Sequence, residues 1–358
     1  MKIVLVLLLF PFLTAQSALF PEDGTGIVST WNYGRSATSL IGFEETKRAF
    51  QELGIRTNEV PIYYEWIQDI TLMNDEGYYL NQAVYPQDYN IAYGLSIGVF
   101  GDPEEFQPMQ RLNGRGLGLP TKSMKYTLVE GGELISGYFP NGEGYALVRD
   151  YVVYRVRNYL SYHRIDKDPI EAIAEDFGLK PENIFSLSAP AHLDLYLKAM
   201  PNGTVFVHSM EKTIELLKKL SLEDQTYSLL YDRYKNGVKH FNIYEQVYSQ
   251  YPLEDQRVTD QLNKISEVLS EKFNVVRVAG YIKEDKYSGR HINFLNAVSG
   301  ISPRGEKFYL TSMGQGLDKL EDYWKKIMAE NGFHDFKTKF VWRSGSGTGL
   351  DCASFLTP

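Results

Sequence analysis

Apolar residues recur at helical spacing through Phe43–Leu53, Pro169–Phe177, Met210–Leu220, Asp255–Phe273 and Leu317–Asn331, which gathers them on one face of each segment. Asp168 ahead of Pro169 reads as a helix start, because a short acid accepts from free first-turn amides and proline is pre-set for that turn. Between the helical stretches, short runs rich in β-branched and aromatic residues predict strands at Val60–Tyr64, Tyr126–Val129, Leu193–Leu197, Thr204–His208, Val275–Ile282, Lys307–Thr311 and Lys339–Trp342. The chain is therefore expected to be mixed α/β. Strand and helix patterns recur, yet no residue-level repeat is read. Prolines and glycines are scattered and no linker separates the halves, so one domain is expected over 18–358.

Residues 1–17 stand apart. Lys2, the apolar run Ile3–Leu13 and the small-residue stretch Thr14-Ala15-Gln16-Ser17-Ala18 have the three parts of a secretory signal peptide, with cleavage expected near Ser17 or Ala18. The run is too short for a membrane span, which needs about 20 apolar residues, so export without membrane insertion is expected. The whole chain carries 37 basic and 45 acidic residues, a formal net charge of -8. Lys2 is the only charge ahead of the expected cleavage site, so processing makes the protein slightly more acidic. Nucleic acid is then an unsuitable partner, and cationic substrates are favoured.

An exported chain with one cysteine, Cys352, can form no internal disulfide. Cys352 follows Arg343-Ser344-Gly345-Ser346-Gly347-Thr348-Gly349-Leu350-Asp351, where glycines allow close approach of backbone and substrate, and is followed by apolar Ala353, Phe355 and Leu356. That setting reads as a nucleophile on a packed element, against the alternative of a small buried hydrophobe. Of six histidines, His192 stands out in Ala191-His192-Leu193-Asp194. Strand alternation would put His192 and Asp194 on one face, a proton shuttle beside a carboxylate. His163, His208, His240, His291 and His334 show no ligand spacing and read as surface or core residues.

Two further carboxylate motifs, Trp66-Ile67-Gln68-Asp69 and Glu130-Gly131-Gly132-Glu133, are each weak alone. Together with His192 and Asp194 they supply what a guanidinium requires: paired carboxylates for a planar, always-charged fork, and an apolar wall, Trp66, to stack against it. In this order, Trp-Ile-Gln-Asp, Glu-Gly-Gly, His-Leu-Asp and a glycine-led cysteine resemble the guanidine-modifying enzymes of the pentein superfamily, over roughly Trp66 to Cys352. Phe294-Leu295-Asn296-Ala297, followed by Lys307–Thr311, is similar to the asparagine-containing strand of that superfamily. The resemblance implies a five-bladed pseudosymmetric α/β propeller with a central active site.

Within the superfamily the Trp66–Asp69 motif looks most like secreted peptidylarginine deiminases, since agmatine deiminases usually place Arg before that Asp and Gly-Pro soon after, where this chain has Gln68 and Ile70-Thr71. The resemblance implies that Asp69 and Asp194 clamp the substrate guanidinium, that Cys352 attacks its carbon, and that His192 protonates departing ammonia and then activates water. Glu130 matches the glutamate that assists the histidine in small-molecule arginine and methylarginine hydrolases. Arg343, or Arg111 and Arg115, are candidates for donors to a peptide backbone. No metal or organic cofactor is implied, and no EF-hand loop suggests calcium regulation. The expected partners are arginine-containing peptides or proteins. Open alternatives are deimination of agmatine or free arginine, amidino transfer, and a non-catalytic arginine-binding module; the local signatures of papain-like and caspase-like proteases are absent.

Overall fold

In this computed structural model, residues 19–34, 40–60, 72–76, 79–81, 121–219, 226–228, 240–242, 255–280, 293–311, 318–341 and 354–357 are described. Strand β1 (Thr30–Gly34) leads through helix α1 (Leu40–Glu52) to β2 (Arg56–Val60), then to β3 (Tyr79–Asn81) and β4 (Thr121–Ser123). The hairpin of β5 (Leu134–Tyr138) and β6 (Gly144–Arg149) is followed by α2 (Asp150–Tyr162), α3 (Pro169–Phe177) and β7 (Ile184–Leu187). A second hairpin, β8 (Leu197–Ala199) and β9 (Thr204–Ser209), precedes α4 (Met210–Leu217), the small pair β10 (Thr226–Ser228) and β11 (His240–Asn242), α5 (Asp255–Leu269) and β12 (Asn274–Ala279). A third, β13 (Ala297–Ile301) and β14 (Lys307–Thr311), leads through α6 (Asp318–Glu330) to β15 (Lys337–Phe340); β16 (Ser354–Thr357) follows.

Among the described residues, four three-stranded sheets share one plan. In each, a central strand pairs antiparallel with one neighbour and parallel with the other: β6 with β5 and β7, β9 with β8 and β12, β14 with β13 and β15, β1 with β16 and β2. The antiparallel neighbour arrives by a tight turn in three of them, and the parallel neighbour always arrives after a helix, because a parallel pair needs a long crossover. The sheet of β1 differs in taking its antiparallel partner from β16, far along the chain.

This plan has a residue-level signature, correcting the expectation that no repeat is present. The three hairpin turns are Phe139-Pro140-Asn141-Gly142-Glu143, Met200-Pro201-Asn202-Gly203-Thr204 and Ser302-Pro303-Arg304-Gly305-Glu306. In each, the first residue's amide bonds the fifth residue's carbonyl at 2.8–2.9 Å, and the glycine has φ near +80°. Proline presets the turn, and only glycine takes the left-handed position at low cost. In the second turn the Asn202 side chain accepts from the Thr204 amide at 3.0 Å.

Described helices lay apolar side chains against the strands and the segments that enter them. Trp324 of α6 stacks on Phe294 at 5.1 Å, and Trp31 of β1 on Phe50 of α1 at 4.6 Å, all four side chains being inaccessible. The segment 19–28 crosses between two sheets. Glu22 donates from its amide to the Ser136 carbonyl on β5 at 2.9 Å, and Val28 donates to Ile301 on β13 at 2.8 Å. Lys198 of β8 reaches the Ala297 carbonyl of β13 at 2.8 Å, so the leading strands of two hairpins lie side by side.

Several boundaries move for physical reasons. Tyr126–Val129 is not a strand: the amides of Lys125, Tyr126 and Thr127 donate to the Asp176 carboxylate at 2.7–2.8 Å, so a side chain replaces a strand partner. Leu193–Leu197 is a 3-10 turn at Leu193–Leu195, with strand only from Leu197. Helix α2 was not expected, since Tyr151, Val152, Val153, Tyr154 and Val156 favour strands, but Val152, Val156 and Leu160 form its buried stripe. Strand β2 ends at Val60, and residues 61–64 lie outside the described set, as do the signal-like residues 1–17.

His208 on β9 is a core histidine, wholly buried, and burial followed by the nearby Arg277 guanidinium pushes its pKa down to about 3. The ring is therefore neutral in the folded protein but takes a proton on unfolding below about pH 6.5. Its folded pKa lies below the unfolded one, so it weakens the fold progressively as pH falls from 6.5 towards 3, by on the order of 5 kcal/mol at the acid end. Denaturant unfolding of wild type and His208→Leu from pH 7 to 4 is expected to give a shallower acid decline in the variant; parallel curves would contradict this.

Candidate active site

Three successive hairpins are each entered through a short non-strand segment, and those segments carry the candidate site residues. Ahead of β5, Glu130 is extended (φ -82°, ψ 149°) and opens the 3-10 turn Gly131–Glu133. Ahead of β8, His192 opens the 3-10 turn Leu193–Leu195, which contains Asp194. Ahead of β13, residues 293–296 form a bend ending at Asn296. Sheets of one plan thus present polar groups from equivalent positions.

His192 Nε2 lies 2.7 Å from Glu130 Oε2; the imidazole is 25% exposed and the carboxylate 5%. The carboxylate fixes one ring nitrogen, while the exposed part of the ring remains reachable by substrate. Gly132 makes room for the ring: a β-carbon there would stand 2.3 Å from His192 Nδ1. The second glycine of Glu-Gly-Gly is therefore a packing requirement of the imidazole.

Asp194 is buried and its Oδ2 accepts from Asn296 Nδ2 at 2.7 Å; Asn296 is inaccessible. Asn296 is itself held by Asn293, whose Oδ1 accepts from the amides of Leu295 and Asn296 at 2.9 and 3.1 Å. A donor of this kind fixes the rotamer of Asp194 while supporting its negative charge. His192 and Asp194 do not share a strand face, as alternation predicts; they belong to a 3-10 turn, and each is oriented by its own partner, Glu130 or Asn296.

Of the residues singled out from sequence, the structure thus brings Glu130 to His192 and Asn296 to Asp194. Cys352, Asp69, Trp66 and Arg343 lie outside the described residues, as do Arg111 and Arg115. Cys352 is two positions ahead of β16, and Asp69 is shortly ahead of Leu72, which is buried.

Sequence reading missed the groups behind Glu130. Glu133 Oε2 accepts from the Glu130 amide at 3.3 Å and from Arg155 Nη2, and Arg149 Nη1 stands 3.7 Å from Glu133 Oε1. Arg155 is fully buried on α2, and its guanidinium lies over the Tyr151 ring at 5.0 Å. A signal existed: Arg155 sits beside Val152 and Val156 on the apolar stripe, where an arginine requires a buried acid.

These sheets and entering turns define an α/β protein of the pentein fold. Its likeness is to solved agmatine deiminases: that of Enterococcus faecalis has a TM-score of 0.53 at 14% identity, covering 95% of this chain and 96% of that chain. The enzyme of C. jejuni has a TM-score of 0.50 at 14% identity, covering 94% of each chain. At such identities the likeness is one of fold. No family profile and no curated protein sequence matches the chain.

Proposed function

We propose that the protein is a guanidine hydrolase that converts arginine residues of peptides or proteins to citrulline and ammonia. The observation that carries the reading is the His192–Glu130 pair at 2.7 Å, formed by turns equivalent to the one that supplies Asn296 to Asp194. In this reading the sheets form a five-bladed ring within one catalytic domain over 18–358, exported by way of the leader 1–17, and the site faces the centre.

The chemistry follows from the groups. Asp194, with Asp69, accepts guanidinium hydrogens, and Trp66 stacks on its face. The bound cation favours the Cys352 thiolate, which adds to the guanidinium carbon. His192, oriented by Glu130, passes a proton to one nitrogen, which leaves as ammonia and a thiouronium remains on sulfur. His192 then takes a proton from water, whose oxygen adds to the same carbon. Collapse expels the thiolate and leaves the urea group of citrulline. Every step is proton transfer or addition and elimination, so the scheme calls for no cofactor. Arg343, Arg111 or Arg115 would donate to the peptide backbone.

A second reading, deimination of a small guanidine such as agmatine or free arginine, is favoured by the likeness to agmatine deiminases. Against it stand the leader and the Gln68-Asp69-Ile70-Thr71 context. Ammonia and citrulline-type products should be measured with a blocked arginine peptide, free arginine and agmatine. The peptide is expected to have the highest kcat/KM. Preference for a small guanidine by tenfold, about 1.4 kcal/mol of transition-state discrimination, would select the second reading. Tight arginine binding with no ammonia from any substrate would leave a binding module.

A further inference from the structure

We infer that the buried Glu133–Arg155 ion pair is a positioning device for Glu130 and sets the charge felt by His192; this rests on reading Glu130 and His192 as the acid–base pair. Glu130 is followed by two glycines, and Gly132 must be glycine because the His192 ring occupies the place of its β-carbon. The turn that carries Glu130 is therefore intrinsically loose, since glycine restricts the backbone least. What holds it is Glu133, which closes the turn by accepting from the Glu130 amide at 3.3 Å and is anchored by Arg155 on α2.

Burying such a pair brings little net stability, because desolvation of two charges offsets their attraction, and a neutral pair of similar shape would serve packing as well. Arg155 is inaccessible and Glu133 nearly so, while Arg149 stands at 3.7 Å from Glu133 with a side chain 25% exposed. Charged or titratable groups tied to His192 and the Glu130 turn include Glu130 itself, Asp194 in the turn that His192 opens, and Glu133 with Arg149 and Arg155 facing it and Tyr151 under the Arg155 guanidinium. Arg155 offsets the second carboxylate of the Glu130 turn, so His192 senses one uncompensated glutamate instead of two. The pair thus acts on chemistry through Glu130, without touching substrate.

The test is a charge cycle on the full chain: Arg155→Met, Glu133→Gln and the double variant. The ring-proton titration of His192 is followed by NMR, and kcat and KM for ammonia release from an arginine peptide, free arginine and agmatine are followed across pH. Arg155→Met leaves Glu133 with only the longer contact to partly exposed Arg149 and is expected to move the His192 midpoint up by about one pH unit. It should also lower kcat by 10- to 100-fold with KM within about twofold. Glu133→Gln leaves the cation and is expected to move the midpoint down. The double variant, whose Gln carbonyl can still accept from the Glu130 amide, should return both midpoint and kcat to near wild type. If Arg155→Met does not fold, the downward shift in Glu133→Gln and its reversal in the double variant decide the matter. Midpoints that stay fixed, or a double variant as impaired as either single, would overturn the inference. If wild type releases no ammonia from any of the three, the hydrolase reading fails, and the titration shifts still judge the charge coupling.

Discussion

Replacing Cys352 with alanine is expected to reduce ammonia release to background, a loss on the order of a millionfold, with thermal unfolding unchanged. The magnitude follows from the role: removing the nucleophile of a covalent mechanism abolishes the chemical step while leaving substrate binding, as nucleophile deletions in other hydrolases do. The chain has a single cysteine, so no second thiol can substitute and no disulfide is lost. Serine at this position should be nearly as poor, because its hydroxyl is not ionised by an adjacent cation at neutral pH as a thiol is. A haloacetamidine, which pairs a guanidinium-like head with a leaving group, should alkylate Cys352 in wild type. Activity within a hundredfold of wild type in either variant would remove Cys352 from the mechanism.

Asp194→Asn should cost roughly a thousandfold in kcat/KM on every arginine substrate. Asp194 is buried and its Oδ2 is engaged by Asn296; in the proposed reading this carboxylate meets the substrate cation. Removing the charge would leave the bound guanidinium with one of its two carboxylates. Truncating one partner of such a pair costs about 2–5 kcal/mol, whereas an exposed salt bridge contributes about 0–1 kcal/mol. The neutral amide has a further fault: if its oxygen accepts from Asn296, its amino group points donors at a substrate that carries only donors. Activity within tenfold of wild type, about 1.4 kcal/mol, would mean that another group carries the guanidinium.

Where the chain's structure is set locally, it was legible in the sequence. Helix α3 begins and ends where Asp168, Pro169 and the following Gly178 place its caps, and the Asp168 side chain accepts from the Ile170 amide at 2.8 Å. Strand β14 was likewise bounded by its own residues, Lys307–Thr311. Where a distant group decides, local pattern failed: Asp176 takes the amides before and within the run that looked like a strand at Tyr126. The same holds for the site. Glu130, His192, Asp194 and Asn296 were legible as residue types, but which acid meets the imidazole is decided by how two sheets are set together. Strand alternation linked His192 to Asp194 and the resemblance linked the histidine to Glu130; the fold gives His192 to Glu130 and Asp194 to Asn296. The hairpin repeat was written in Pro140-Asn141-Gly142, Pro201-Asn202-Gly203 and Pro303-Arg304-Gly305, signals short enough to pass as ordinary turns.

Strand β1 pairs with β16 through Trp31 with Leu356, a partner that leaves the ribosome some 300 residues later. At roughly 5–20 residues per second, that is tens of seconds during which one edge of β1 has no mate. An edge in waiting is a template for pairing with another chain. Because β16 begins two positions after Cys352 in the sequence, the strand that relieves this hazard is synthesised together with the proposed nucleophile. Growing chains of this protein therefore carry an unpaired β1 edge until their last residues are made, and a holding chaperone acting on the nascent chain should matter more for its yield than one acting after release.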